Sequence, residues 1–271
     1  MSQDEPRVVL ITGASSGLGC AAAEYLSALG HRVFGASRNP GGEGSPYEPV
    51  ALDVTDDESV AQGVAAVQAA AGRIDVLFNN AGVGIAASIE DTTLEEARWL
   101  METNFFGALR MCRAVLPIMR AQGSGLIINT SSIGGLMGLP FQGLYSASKF
   151  AIEGLTEALR IEVAPFGIHV VLLEPGDFNT PFTSNRRSSS VNSESPYSEA
   201  QERALTVIKA DEGNGLAPEA IGPVLARIIA SPSPRLRYQV GALEQRLAVL
   251  AKRHLPAGLM ERILREHYKS G

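Results

Sequence analysis

A chain of 271 residues, 45% hydrophobic and 19% charged, is long enough to bury a large core without disulfide or metal staples. Its net charge of −6 argues against nucleic acid as a partner, because neutralising phosphates needs a basic face. Two cysteines, Cys20 and Cys112, and four scattered histidines give neither a disulfide framework nor a metal-ligand spacing, so both thiols read as buried and reduced, in a cytoplasmic protein.

In chain order, short apolar runs alternate with longer helical patterns. A strand is expected over Val8–Thr12, then a glycine turn, a helix over 17–29 and a strand over 32–36. A Gly/Pro/Ser-rich connector occupies 39–49, and a third strand follows over 50–53. Thr55 with Glu58 reads as a capping box for a helix running to about Ala71. A strand over 76–80 comes next. Thr92 with Glu95 reads as the box for a long helix reaching about Arg120. The pattern continues with a strand over 126–130, a helix over 143–164, a strand over 169–173, a helix over 218–230 and a short strand over 238–240.

This alternation predicts an α/β fold: a single doubly wound parallel sheet of Rossmann type with helices on both faces, residues 1–271 forming one domain. Residues 176–215 are expected to be a substrate lid, with the polar run 185–198 its mobile part. Residues 243–271 are a helical extension. There Leu243, Leu247, Leu250, Ala251 and Leu255 share one helical face, which predicts packing against the domain or roofing of the site. No run approaches the ~18 apolar residues of a membrane span, and a basic amphipathic helix lying on a membrane is the lesser reading of this tail.

The first strand runs into Thr12-Gly13-Ala14-Ser15-Ser16-Gly17-Leu18-Gly19 and directly into a helix. Glycines there allow a tight turn and close backbone approach to a pyrophosphate, and the helix N-terminus supplies free N–H donors. The second strand ends Ser37-Arg38, without the acid that commonly holds an NAD ribose. A guanidinium binds a 2′-phosphate that a carboxylate would repel, so NADP(H) is favoured over NAD(H).

Tyr145 and Lys149 lie four residues apart in a predicted helix and share one face. A free phenol, with a pKa near ~10, is a poor base at neutral pH. Lowering it to ~7 takes about 4 kcal/mol, which one ammonium at ~4–6 Å supplies at an effective dielectric near ~20. The pair is therefore an adequate acid/base device beside a nicotinamide.

Thr12-Gly13-x-x-x-Gly17-x-Gly19, Asn79-Asn80-Ala81-Gly82, Asn104, Ser132, Tyr145-x-x-x-Lys149 and Pro175-Gly176 stand in an order that resembles the short-chain dehydrogenase/reductase family, over nearly the whole chain. Residues 134–141 and 147–151 are similar to its 17β-hydroxysteroid and retinol dehydrogenase branch. The resemblance implies that Tyr145 exchanges the proton of the reacting oxygen. Lys149 lowers the tyrosine pKa and binds the nicotinamide ribose, Ser132 stabilises the substrate oxygen, and Asn104 holds a relay water. It implies cofactor contacts from Gly13, Ser15, Ser16, Gly17, Leu18, Gly19, Ser37, Arg38, Asp53, Val54, Asn80, Ala81, Gly82, Pro175, Gly176 and Thr180, besides Tyr145 and Lys149. Asp53 is assigned to the adenine, Asn80 to the adenosine-side ribose and Thr180 to the carboxamide.

The expected activity is reversible, NADP(H)-dependent reduction of a carbonyl to an alcohol. Leu136, Met137, Leu139, Phe141, Phe178 and Phe182 suggest a lipophilic substrate of steroid, retinoid or bulky-ketone type. The alternative is a non-catalytic NADP(H)-sensing regulator on the same fold; a complete Ser132/Tyr145/Lys149 set weighs against it. A homodimer or homotetramer is implied by the resemblance, through the helices over 94–120 and 143–164. Neither nucleic acid nor a membrane is expected as a partner, and no metal is expected. His169, Cys112 and Trp99 read as buried residues without a role.

Overall fold

The computed structural model describes residues 5–40, 44–187 and 194–269. Seven parallel strands form one sheet in the order β3-β2-β1-β4-β5-β6-β7. They are β1 (Val8–Thr12), β2 (Arg32–Ser37), β3 (Glu48–Ala51), β4 (Val76–Asn79), β5 (Gly125–Thr130), β6 (Ile168–Pro175) and β7 (Arg237–Val240). The chain runs outward from β1 in one direction, then returns to β4 on its other side, so β1 and β4 flank the point where strand order reverses. Ligands bind beyond the strand carboxyl ends at such a point.

The central strands are apolar throughout because both faces are covered. One face carries α2 (Asp57–Ala71), α4 (Gly107–Gln122) and α5 (Gly143–Val163), which pack Val64, Met111, Val115 and Leu159 onto Leu10, Leu77 and Ile127. The other carries α1 (Gly17–Ala28) and α8 (Ile221–Ala230), which bring Ala22, Leu26, Leu225 and Ile228 onto Val9, Ile11 and Ile128. Among the described residues, no helix is long and apolar enough to cross a membrane.

Both expected capping boxes are off by one residue. The Thr55 hydroxyl donates to Asp53 Oδ1 at 2.7 Å, so the following residue, Asp56, caps α2 by accepting from Ser59 N at 2.7 Å. The Thr92 hydroxyl donates to Ser88 O at 2.7 Å, and Thr93 with Glu96 forms the box at the start of α3 (Leu94–Met101). The third strand begins at Glu48, two residues earlier than expected; Pro49 is tolerated because β3 is an edge strand. The long helix expected over 94–120 is not uniform. A five-residue π segment, Glu102–Phe106, joins α3 to α4 and buries Asn104. Such π segments are frequent at functional sites.

The region expected to be a lid contains a short helix, α6 (Phe182–Asn185), and a four-turn helix, α7 (Ser198–Gly213). Arg187 is tied to the segment after β4: its N–H donates to Gly84 O and its carbonyl accepts from Ala86 N. Residues 188–193, the centre of the expected mobile run, lie outside the described residues.

The C-terminal extension is two helices, α9 (Leu243–His254) and α10 (Ala257–Tyr268). They do pack on the domain, but α9 does not use the expected face. Leu243, Leu247 and Leu250 are 68%, 53% and 52% exposed, and Val249 is the buried residue. Gln245 on α9 is recruited to Asp177, which turns the leucine row outward. Val249, Met260 and Tyr268 instead close a separate cluster with Met137, Leu139, Ala204 and Ile208.

Candidate active site

A cavity of about 1010 Å³ lies beyond the carboxyl ends of the strands. At one end is the glycine turn. Gly13 and Gly17 take φ of +68° and +56°, which side chains rarely adopt. A Cβ on Gly19 would run into the carbonyl of Gly13 and the amide of Asn80. One on Gly17 would stand 3.4 Å from Thr180 Cβ, across the cleft. Ser16 precedes α1 without a side-chain cap, and no acid occupies the first turn. The helix N-terminus therefore keeps free donors facing the cavity, a cradle that fits a pyrophosphate.

Every expected cofactor residue except Gly19 lines this cavity. Arg38 is exposed there and makes no hydrogen bond or ion pair among the described residues. Asp53 Oδ1 accepts from the Thr55 N–H and hydroxyl, at 2.9 and 2.7 Å. The side chain of Asn80 is committed elsewhere: its amide donates to Thr12 O and Gly13 O at 3.1 and 3.3 Å. It therefore holds the glycine turn rather than reaching freely toward a ribose.

The reactive groups converge at the middle of the cavity. Tyr145 and Lys149 project from the first turns of α5. Ser132, just beyond β5, accepts from Gly134 N at 3.0 Å. Lys149 is 5% exposed; its Nζ donates to Thr130 O at 2.9 Å and lies 5.7 Å from the Tyr145 ring centroid. Asn104 is not at the cavity wall. It accepts from Val83 N at 2.8 Å and donates to Val83 O and Ser148 Oγ at 2.9 and 3.0 Å, fixing the loop after β4 to α5. A Cβ on Gly82 would meet Asn104 Oδ1 at 3.5 Å and Lys149 Nζ at 3.8 Å, so the two approach each other across that glycine.

The protonation states depart from expectation. Burial raises the Tyr145 pKa, outweighing the opposing hydrogen bond to Ser132 and the charge of Arg186. The Lys149 ammonium lies over the Tyr145 ring and is hydrogen-bonded to Thr130 O. Burial lowers Lys149 itself to about 8, with Glu153 acting the other way. At neutral pH the site therefore presents a phenol with its proton on, beside an ammonium largely charged.

The far half of the cavity is apolar, with Met137, Leu139, Ile208, Met260 and Leu264 in its walls. The Phe182 ring stands 5.8 Å from that of Tyr145. Leu136 and Phe141 sit in the same region, packed against the C-terminal cluster, whereas Phe178 is a core residue beneath the sheet's other face as well as a wall residue.

Several wall residues were not foreseen. Trp99 is half-buried rather than buried, with the Arg187 guanidinium 3.8 Å above its ring, and both line the cavity. His169 and Cys20 are also only half-buried, whereas Cys112 is fully enclosed. Asp177, Glu212, Gln245 and Tyr268 complete the far wall. Asp177, adjoining Pro175-Gly176, carried a positional signal; Gln245 and Tyr268 carried none, since only the docking of α9 and α10 brings them in.

The short chain dehydrogenase family model matches residues 7–190. A 3-ketodihydrosphingosine reductase of Bacteroides thetaiotaomicron is 47% identical, over 97% of this chain and 98% of its own. Human 17-beta-hydroxysteroid dehydrogenase type 1 is 34% identical, over 85% of this chain and 76% of its own. Among solved structures, a short-chain dehydrogenase/reductase from Burkholderia phymatum in complex with NAD superposes with a TM-score of 0.80 at 27% identity, covering 97% of both chains. With that match across a glycine-turn cradle and a Ser132/Tyr145/Lys149 centre, the chain belongs to the short-chain dehydrogenase/reductase family of oxidoreductases.

Proposed function

We propose that this protein is an NADPH-dependent reductase of a long-chain, lipophilic ketone. The observation that carries the reading is one cavity holding the glycine cradle and the unpaired Arg38 at one end, Ser132, Tyr145 and Lys149 at its centre, and an apolar half beyond them. The 3-ketodihydrosphingosine reductase relative supports a ketone on a long alkyl chain, and the cavity's apolar walls suit that chain.

Bound NADPH would supply a hydride from C4 of its nicotinamide to the carbonyl carbon. The protein's part is the proton and the geometry. Tyr145, protonated at neutral pH, donates its proton to the carbonyl oxygen as charge develops there. Ser132, oriented by the Gly134 N–H, stabilises that oxygen. Lys149 holds a positive charge below the tyrosine and stabilises the phenolate left behind. Asn104 positions α5 against the loop after β4. The raised tyrosine pKa suits an acid, which favours reduction as the working direction. Exposed Phe106, Phe150 and Ile161 on the helices flanking the site support self-association as a homodimer or homotetramer.

The test is NADPH oxidation by purified protein with a long-chain 3-ketone, with Tyr145→Phe run in parallel. We expect turnover to fall by about 10²–10⁴-fold in the variant, the usual contribution of a positioned acid, while NADPH binding is kept. Equal turnover by both proteins would refute the assignment.

A further inference from the structure

A buried cluster of charge lies outside the cavity and adjoins its catalytic lysine. Glu153 stands one turn past Lys149 on the same face of α5, is 6% exposed and does not line the cavity. The Arg237 guanidinium, brought in by β7, reaches Glu153 Oε2 at 3.0 Å. It also reaches Oε1 of Glu174, a fully enclosed residue of β6, at 3.0 Å. Its third partner is Glu157, half-exposed one turn further along α5. Three carboxylates thus share one guanidinium, with only the field of Arg253 on α9 added at Glu174. The cluster carries an excess of negative charge, and Lys149 is the next cation along the helix.

Enclosed ion clusters add little net stability, because desolvation offsets the attraction. What this one supplies is a field, and its surroundings direct that field at the reacting groups. Ser131, the residue before Ser132, is buried, and its hydroxyl acts with Arg237 to keep Glu153 ionised. A Cβ added to Gly135 would strike Ser131 Oγ and stand 3.1 Å from Lys149 Cβ, so these three residues are closely packed. Glu153 is thereby joined to both parts of the proton-transfer machinery: the segment that carries Ser132 and the helical turn that carries Lys149.

Building on the reductase reading above, we infer that Glu153 is a positioning residue: a buried counter-charge, anchored by Arg237, that keeps Lys149 an ammonium while the carbonyl is reduced. The need for it follows from burial. Lys149 is 5% exposed, and its ammonium donates to a neutral group, Thr130 O. Burial alone pulls the lysine down to about 8, and Glu153 is the group that opposes the fall. On its other side Lys149 faces Tyr145, which keeps its proton at neutral pH, and Asn104, which is uncharged. The anchor matters as much as the carboxylate. Burial and Glu157 raise the Glu153 pKa, while Ser131 and Arg237 lower it. Without Arg237 the carboxyl would hold its proton more tightly and its field would fade.

The test has two readouts on the full chain. With NADPH and a long-chain 3-ketone, the basic limb of kcat should fall near the Lys149 value of about 8. Glu153→Gln should move that limb down by about 0.5–1 pH unit, the effect of one partly compensated carboxylate at ~6–8 Å and an effective dielectric of ~40–60. Turnover then drops less than about twofold at pH ~7 and about three- to tenfold at pH ~9. Glu153→Asp keeps the charge and should keep the limb in place. Glu153→Ala should repeat the shift and serves if the glutamine variant folds poorly. A loss that is uniform across pH, or a lower Tm with the limb unmoved, would make Glu153 a structural ion-pair partner and overturn the inference. The second readout needs no turnover. The chain has four lysines, so NMR of isotope-labelled lysine can follow Lys149 singly, its signal identified by loss in Lys149→Met. That signal should titrate at lower pH in Glu153→Gln than in the native chain. If it does so while no ketone is reduced, the reductase reading fails and the hold of Glu153 on Lys149 stands. Identical titrations in the two chains overturn the inference whatever the turnover.

Discussion

Arg38 stands at the end of β2 with its guanidinium in solvent and no partner among the described residues, so removing it leaves the fold untouched. Arg38→Ala should weaken NADPH by about 10–100-fold, the value of a charge-assisted phosphate contact, and NADH by much less. Fluorescence titration of both cofactors measures this; parallel losses would remove Arg38 from phosphate recognition. Asp177 poses the opposite case, a residue that costs stability. Its folded pKa, about 6, lies above the ordinary carboxylate value of 3.8. Between those values the folded state holds more protons than the unfolded state, so this contribution is present at low pH and is lost as pH rises through about 6. The shift bounds the cost at neutral pH to about 3 kcal/mol. Asparagine keeps an oxygen for Gln245 but loses the charge. Asp177→Asn should raise Tm at neutral pH and flatten its fall between pH 4 and 6; an unchanged profile would mean that Asp177 does not carry this pH dependence.

Among the elements, α9 and α10 separate what a pattern announces from what packing decides. The leucine row of α9 has clear helical spacing, yet Leu243, Leu247 and Leu250 face outward while Val249 and Met260 face in. Met260→Ala should cost about 2–5 kcal/mol, the usual range for truncating an enclosed side chain. Leu247→Ser should cost under about 0.5 kcal/mol. Chemical denaturation distinguishes them, and a reversed order would place the leucine row against the domain after all. The strands and the helices around the glycine turn were legible because each has one local cause: an apolar run, a glycine, a Tyr/Lys pair at helical spacing. The caps were displaced by one residue because Thr55 and Thr92 found other hydrogen-bond partners, a competition that no short motif encodes. Gln245 and Tyr268 were invisible for a stronger reason. They join the site only through tertiary docking, and their neighbours in sequence say nothing about Asp177, 68 residues from Gln245.

For the whole molecule, the remaining question is what covers the outer face of α5. Phe150 and Ile161 are 47% and 77% exposed and lie three helical turns apart on one side of that helix. Gly154 lies between them with open space where a side chain would be. A second copy packed along this row would cover both side chains. The opposite side of the same helix holds Lys149 and Ser148, so a second copy packed along α5 would brace the catalytic residues from behind. Light scattering of the native chain should therefore give a multiple of the 28.6 kDa protomer. Phe150→Glu with Ile161→Glu should shift it to the protomer mass and lower turnover, because α5 loses its support. If the native chain is monomeric, the outward face of α5 is simply exposed. If the variant stays assembled, the copies meet elsewhere, and the outward leucines of α9 become the next surface to alter.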